Sequence, residues 1–142
     1  MSPHTILVVR TSWPAIAGQA DALTSRFYRI LFEIDPSAAH LFQGVDMTAQ
    51  RARLVQALTV VVRALDDIDR LLPPLLVLGS RHAKYGVESH HFDSVGRALI
   101  QALAEMLGEE FTPEVRAAWG EAYGVIASVM RHAMLISQME TA

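Results

Sequence analysis

The sequence predicts an all-α fold, and three observations support that prediction. Apolar residues recur at spacings of three, four and seven along most of the chain, which is the period of one helix face. No stretch alternates apolar and polar residues between turn signals, as a β-hairpin would. The chain has 142 residues, 51% of them hydrophobic, which is enough for one domain with its own core. We therefore expect a single domain over residues 1–142, with an ordered core at about 5–137.

An Asp-Pro pair predicts a helix boundary in the first half of the chain. Asp35-Pro36 ends one helix and starts the next, with Asp35 as the cap and Pro36 in the first turn. Helices are accordingly predicted at about 5–19, 21–34 and 36–42. A further helix is predicted at about 48–66. Its apolar face consists of Leu54, Val55, Leu58, Val61, Val62 and Leu65.

Prolines and a serine mark helix starts in the second half. Pro73-Pro74 opens a helix at about 74–84. Ser89 is expected to cap a helix at about 90–107, and Thr112-Pro113 to begin one at about 113–137, after which the tail is expected to fray. The apolar faces of these last two helices are Phe92, Val95, Leu99, Leu103 and Met106, and Val115, Trp119, Ala122, Ile126, Val129 and Ala133.

Charge and cysteine content exclude several classes of function. The formal net charge is −3, from 12 basic and 15 acidic residues that are scattered, so nothing indicates a nucleic-acid partner. The absence of cysteine excludes disulfides, thiolate catalysis and cysteine-ligated metals. The N-terminal MSPHTILVVR lacks the features of a signal peptide, and no apolar run approaches the roughly 18 residues of a membrane span. We expect a soluble cytoplasmic protein without a membrane partner.

Histidines are the candidate ligands. His82 shares a predicted helix face with Leu75 and Leu78, and burial there favours the neutral imidazole, which is a good ligand for iron or zinc. A core histidine bonded to a nearby carbonyl is the alternative on spacing alone. His90 and His91 are adjacent, so on a helix they point about 100° apart and give little support to a zinc site. A single histidine ligand suits haem, whose porphyrin supplies the equatorial donors.

Five segments together resemble one known family. They are RFYRILFEIDPSAAHLF (26–42), QRARL (50–54), RHAKYGV (81–87), HFDSVGRAL (91–99) and AWGEAYGVIASV (118–129). In order and spacing the chain resembles the globins from about Thr11 to His132, in particular bacterial single-domain globins, the haem domain of flavohaemoglobins and small high-affinity oxygen-binding globins. The resemblance implies a globin fold, which is a three-over-three helical sandwich around haem b.

The resemblance also assigns roles to individual residues. His82 falls on the proximal histidine that binds iron through Nε2, and Phe42 on the phenylalanine that stacks on the porphyrin. Tyr28 and Gln50 fall on the distal residues that donate hydrogen bonds to bound oxygen, and Leu54 would limit the pocket above the iron. The alternatives are a core tyrosine bonded to a carbonyl and a solvated glutamine. The further cofactor-binding candidates are Arg53, Leu78, Arg81, Val87, Phe92 and Val95, with Tyr123 weaker.

The chain departs from the flavohaemoglobin pattern on the proximal side. Flavohaemoglobins have a tyrosine and a glutamate behind the proximal histidine, and those positions fall here on Phe92 and near Met134. Neither side chain can accept a proton from His82, so we expect His82 to bond to a backbone carbonyl, and strongly pushed oxygen chemistry is not favoured. The flavin and nicotinamide domains are also missing from these 142 residues, so a redox reaction would need an external reductase.

Several functions are compatible with these residues. The favoured one is a haem protein that reversibly binds oxygen, with carbon monoxide and nitric oxide as further ligands, at a five-coordinate iron. The alternative is a nitric oxide dioxygenase, or another haem redox enzyme, supplied with electrons by a reductase. A haem-free helical interaction domain and a gas sensor are two other hypotheses, and the sequence shows no output domain for the sensor.

Overall fold

The computed structural model describes residues 1–140, and within them all regular structure is helical. Seven α-helices follow one another, with a 3-10 turn at Gly108–Glu110 before the last. They are α1 (Pro3–Ala17), α2 (Ala20–Ile34), α3 (Pro36–His40), α4 (Met47–Arg63), α5 (Ile68–Lys84), α6 (Ser89–Leu107) and α7 (Pro113–Glu140). No helix in the described part of the chain is both long and apolar enough to cross a bilayer.

The helices form two layers, as the three-over-three prediction requires. In one layer α2 packs against α6, and α6 packs against α7. In the other layer α1 contacts α4. The layers are joined where α5 and α1 pack on α7 and where α4 packs on α2. The all-α fold is confirmed.

The start of α5 was predicted wrongly. The helix begins at Ile68, where the side chain of Asp67 accepts a hydrogen bond from the Arg70 amide at 3.3 Å, so Pro73 and Pro74 lie inside it. Each proline removes one backbone hydrogen bond from the helix interior. The helix nevertheless continues, because Leu71 and Leu75, four residues apart on one face, are both buried in the core. Tertiary packing thus outweighs the local preference to start at the prolines.

Two helix caps also differ from the predictions. The N-cap of α6 is Glu88, not Ser89, and it forms a capping box in which its backbone amide donates to Nδ1 of His91 at 2.8 Å. Asp35 occupies the N-cap position of α3, but its carboxylate makes no capping bond there. It accepts hydrogen bonds from two serine hydroxyls instead. Thr112 caps α7 as predicted, since its hydroxyl accepts from the amide of Val115 at 3.2 Å.

The remaining helix ends lie within a few residues of the predicted ones. Relative to the sequence bounds, α1 begins and ends two residues earlier, α3 ends at His40 and α4 ends at Arg63. The last helix continues to Glu140, beyond the point where fraying was expected. The final part of that expected tail, residues 141–142, lies outside the described residues.

The buried core is divided into two clusters. The larger is built on α1, α2, α6 and the start of α7, and Leu54 of α4 packs against it. The smaller holds Leu75 of α5, Phe92 and Met134. Although α4 and α5 are consecutive, they scarcely touch each other. Because helices that do not pack against each other leave space between them, we infer a cleft bordered by α4 and α5, and in α4 only Val62 is fully buried.

Candidate functional site

His82 lies in the last turn of α5, on the side of the smaller cluster. Its Nδ1 is 2.6 Å from the carbonyl oxygen of Leu78, one turn earlier. A carbonyl only accepts, so Nδ1 carries the proton and donates it, which in the neutral ring places the lone pair on Nε2. The imidazole is half-buried, and its ring centroid is 6.3 Å from that of Phe92. This is the neutral tautomer that an Nε2 metal ligand requires.

The surroundings of His82 agree with the departure seen in the sequence. Phe92 is 5% exposed and Met134 is 1% exposed, and both belong to the cluster on this side of the molecule. Neither side chain has an oxygen that could accept from Nδ1. The only hydrogen-bond acceptor found for His82 within residues 1–140 is the Leu78 carbonyl. A neutral carbonyl attracts the Nδ1 proton less strongly than a carboxylate would, so the imidazole gains little anionic character.

Tyr28 and Gln50 meet on the opposite side of the cleft. The ring of Tyr28, on α2, is 4% exposed, and Gln50 comes from the first turns of α4. The amide Nε2 of Gln50 donates to the phenolic oxygen of Tyr28 at 3.2 Å. Burial raises the pKa of the Tyr28 phenol, while the bond from Gln50 and nearby arginines partly oppose that rise. The phenol is therefore protonated at neutral pH, with its hydroxyl hydrogen free to donate.

An aromatic cluster fixes the direction of the Tyr28 ring. Phe27 and Phe42 contact it edge-on, with ring centroids 4.9 Å and 5.5 Å away, and Phe32 lies at 6.0 Å. Phe27 is fully buried, as expected of a core aromatic, whereas Phe42 is half-buried in the turn that follows α3. The partial exposure of Phe42 leaves apolar ring surface available beside the distal tyrosine. Leu54 lies one turn after Gln50 on the same side of α4, also half-buried.

The proximal lining and the candidate arginines have different environments. Leu78 and Val87 are half-buried beside the smaller cluster, whereas Val95 packs against the larger one. Arg53 and Arg81 are solvent-exposed, and no hydrogen bond or ion pair holds either of them among the described residues. Both side chains are therefore free to pair with an anionic group at the cleft edge.

Sequence reasoning missed Arg51. The Nε atom of Arg51 is buried without a hydrogen-bond partner among the described residues. The positive charge of Arg51 lowers the pKa of the Tyr28 phenol, and it does so more strongly than the charge of Arg53. A charged residue beside the first turns of a helix is usually solvated, and the sequence contained no signal to the contrary. Only the packing of α4 on α2 brings it near the distal tyrosine.

A second polar cluster joins α3 to the start of α6. His91 Nδ1 accepts from the Glu88 amide, so its Nε2 carries the proton and donates to the Ser37 hydroxyl at 3.0 Å. Ser37 in turn donates to Asp35 at 2.5 Å, and Ser94 donates to the other carboxylate oxygen at 2.6 Å. These hydroxyl bonds lower the pKa of Asp35 to about 2, and burial lowers the pKa of His91.

That cluster also includes His90, which brings three possible metal-ligating atoms within 4.8 Å of one another. The lone pair of His91 already closes the capping box, however, and both Asp35 oxygens accept hydroxyl protons. Metal ligation by His91 would break the cap of α6. The hydrogen bonds of this cluster therefore hold α3 against the start of α6, in line with the weak support for zinc in the sequence.

Comparison with known proteins identifies the family. The family description "Globin" matches residues 25–130, which is most of the chain. The chain belongs to the globin family. Flavohemoproteins are among its relatives: that of Chromobacterium violaceum is 33% identical over 132 residues, and that of Bacillus subtilis 29% identical over 125 residues. These matches cover 92% and 87% of this globin but only 33% and 31% of the relatives, so the chain spans about a third of their length.

A solved structure supports the same family. An engineered carbene transferase from Rhodothermus marinus, a protein assigned as a nitric oxide dioxygenase, superimposes with a TM-score of 0.89 at 28% identity. The match covers 99% of this globin and 98% of that chain. The resemblance to globins and to flavohaemoglobin haem domains is thereby confirmed.

The cofactor of this globin is haem b, as the sequence predicted. The residues present fit that group. The cleft between α4 and α5 separates two apolar clusters, and half-buried apolar side chains remain on both of its sides. One side offers an unprotonated imidazole nitrogen at His82, and the other a protonated phenol at Tyr28. A flat, mostly apolar macrocycle with one open ligand position matches this arrangement.

Proposed function

We propose that this globin reversibly binds oxygen, and with it carbon monoxide and nitric oxide, and that Tyr28 and Gln50 stabilise the bound ligand. When bound, haem supplies the iron at which a diatomic molecule is held. In this proposal Nε2 of His82 would hold the iron, and Tyr28 and Gln50 would face the diatomic ligand. The apolar walls are contributed by Phe42, Leu54, Leu78, Val87, Phe92 and Val95. Arg53 and Arg81 pair with the propionates at the cleft edge.

The observation that carries the proposal is the hydrogen bond from Gln50 to Tyr28. Gln50 donates to the phenolic oxygen, and among the described residues no acceptor takes the hydroxyl proton of Tyr28. The donation also polarises the phenol and makes it a better donor. A hydrogen bond from such a phenol to a partly negative ligand contributes about 1.5–3 kcal/mol, which corresponds to roughly 10- to 150-fold in affinity.

The proximal side favours reversible binding over oxygen activation. A carboxylate behind the proximal histidine would increase the electron density at the iron, but within residues 1–140 the bond of the His82 side chain is to the neutral carbonyl of Leu78. The apolar side chains of Phe92 and Met134 close that side of the molecule. The residues thus support retention of the ligand more than its cleavage.

The competing proposal is a nitric oxide dioxygenase reaction with an external reductase. The structural likeness to a protein assigned as a nitric oxide dioxygenase favours it. The same distal pair serves both functions, since each requires oxygen to be held firmly. Rapid reduction of the ferric protein by a reductase, followed by nitrate formation from nitric oxide, would favour the enzyme. Stable oxygenation without such turnover would favour binding.

The deciding experiment is the oxygen dissociation rate of Tyr28→Phe after reconstitution with haem. We expect release about tenfold faster or more, because the ligand loses its main hydrogen-bond donor. Tyr85→Phe is the matched control, since Tyr85 is 63% exposed and its hydroxyl makes no hydrogen bond within the described residues. Its release rate should equal that of the wild type. Unchanged release in Tyr28→Phe would show that the phenol is not the donor.

A further inference from the structure

A long groove lies between α6 and α7. It shares no lining residue with the site under the proposed function, and of the haem candidates from the sequence it includes Tyr123, the weaker one. Its volume is about 670 Å³, and it is open to solvent along its length. On α7 it extends from Arg116 to Arg131, a distance of about 22 Å at 1.5 Å per residue. Its length and openness suit an extended partner better than a compact ligand, which would remain largely in water there.

The groove is positively charged although the protein is not. Three arginines and one aspartate line it, whereas the whole chain has a formal net charge of −3. Arg131 is paired with that aspartate, Asp93, at 3.1 Å. Arg97 makes no hydrogen bond or ion pair in the described part of the chain. The guanidinium of Arg116 lies over the face of the Phe111 ring, 5.1 Å from its centroid, and forms no ion pair with a carboxylate of the described residues. Two exposed cations are thus left without a carboxylate.

Small apolar residues form the floor between these charges. Ile100 and Ala104 of α6 and Ala127 of α7 are among the residues that line it. Gly124 leaves open space where a side chain would stand. The ring of Tyr123 is held in the floor because its hydroxyl donates to the Phe92 carbonyl at 2.5 Å. An apolar floor between cationic walls is complementary to an amphipathic surface with acidic edges.

We propose that this groove binds an acidic amphipathic helix of a partner protein. Such a helix would place small apolar side chains on the floor and its carboxylates against Arg97 and Arg116. A helix of about 15 residues matches the length of the groove. A nucleic acid fits less well, because the wall contains Asp93 and the chain as a whole is acidic. The inference does not depend on the oxygen-binding proposal.

The test uses the haem-loaded protein and a fluorescein-labelled helical peptide of alanine, leucine and glutamate, about 15 residues long. Fluorescence anisotropy measures its binding. We expect Arg97→Glu combined with Arg116→Glu to weaken binding at least tenfold, because like charges then face each other. Arg97→Gln combined with Arg116→Gln should show a smaller loss. Binding should also weaken as salt is raised.

The matched control is Arg63→Glu combined with Arg70→Glu, which changes the net charge equally at exposed sites outside the groove. It should bind like the wild type. An equal loss in this control would mean that overall charge, not the groove, attracts the peptide, and would overturn the proposal. So would unchanged binding in both groove variants, or groove-dependent binding of inorganic polyphosphate with none of the peptide. Thermal melts establish that every variant is folded.

Discussion

At the scale of single residues, two buried tyrosines have different hydrogen-bond partners. Tyr123 donates its hydroxyl proton to the Phe92 carbonyl, which is how a core tyrosine is usually satisfied. Tyr28 instead receives a hydrogen bond from Gln50 and keeps its own proton available. Burial raises the pKa of both phenols, so acidity does not distinguish them. The two phenols differ in the hydrogen-bond partner of the hydroxyl group, and this difference favours Tyr28 as the residue that faces the ligand.

Gln50→Leu tests whether the distal pair acts as one unit. We expect oxygen release to accelerate about 2- to 10-fold, less than in Tyr28→Phe, because Gln50 acts mainly through the phenol. In the double variant the two effects should not add, since the residues share one network. Stopped-flow dissociation rates of the four proteins measure this. Fully additive effects would show that Gln50 and Tyr28 contact the ligand independently.

Asp35 should make stability depend on acid pH. Its pKa in the folded protein is about 2, below the ordinary value of 3.8, because two serine hydroxyls bond to the carboxylate. The resulting stabilisation, about 2 kcal/mol, is full above the ordinary value and is lost as the pH falls towards 2. Urea unfolding should therefore show a gap between wild type and Asp35→Asn that closes over this range.

Glu109→Gln is the control for that experiment. Glu109 is exposed in the 3-10 turn and has no side-chain bond in the described residues, so its removal should leave the acid dependence unchanged. Comparing variants with the wild type at each pH cancels the loss of haem in acid, which affects all three proteins. A gap that stays constant down to the lowest pH would contradict the assigned role of Asp35.

At the scale of elements, α5 is positioned by its contact with α7. Gly79 lies where the two helices approach most tightly, and a Cβ there would be 2.5 Å from the Met130 carbonyl oxygen and 2.8 Å from the Ala133 Cβ. Both neighbours are part of a helix and cannot turn aside. The same approach buries Leu71 and Leu75 and so allows α5 to continue through its two prolines. His82, seven residues after Leu75, is placed by this contact.

Gly79→Ala should therefore destabilise the protein. We expect a loss of about 1–3 kcal/mol in the free energy of unfolding, because the added methyl group overpacks the helix contact. Gly120→Ala is the matched control, since a Cβ there meets nothing within 4 Å and alanine is the better helix former. It should raise stability by about 0.4–1 kcal/mol. Equal effects in the two variants, measured by urea unfolding, would rule out the close approach.

At the scale of the whole molecule, the cofactor completes the core. The larger cluster and the smaller cluster stand on opposite sides of the cleft between α4 and α5, and these helices make little contact with each other. An apolar group in that cleft would bury the half-exposed sides of both helices and join the clusters. The other helices pack directly against one another and do not depend on it to the same degree.

Haem should consequently protect α4 and α5 more than the rest of the protein. Hydrogen exchange of the haem-free and haem-loaded forms should show the largest gain of protection in Met47–Arg63 and Ile68–Lys84, and the smallest in α2 and α6. Global stability should rise as well, by about 2.7 kcal/mol at a free haem concentration 100 times the dissociation constant. Uniform protection over all helices would mean that the cleft is not where haem binds.

The sequence by itself determined the helical class and most helix positions, and it supplied the candidate residues of the proposed site. Those features depend on local periodicity and on segments such as RFYR and RHAKYGV, which are visible along the chain. Family resemblance added the haem, and composition excluded cysteine chemistry. The proposed roles of Tyr28 and Gln50 remain predictions, supported by the hydrogen bond between them.

The tertiary structure alone decided which atoms face which. Burial of Leu71 and Leu75 moved the start of α5 ahead of its prolines, and the His91 side chain shifted the cap of α6 to Glu88. The tautomer of His82, the charge near Tyr28 and the cationic groove all depend on residues distant in sequence or on backbone geometry. Local propensities are too weak to determine such features, because packing and side-chain hydrogen bonds contribute more free energy at each of these positions.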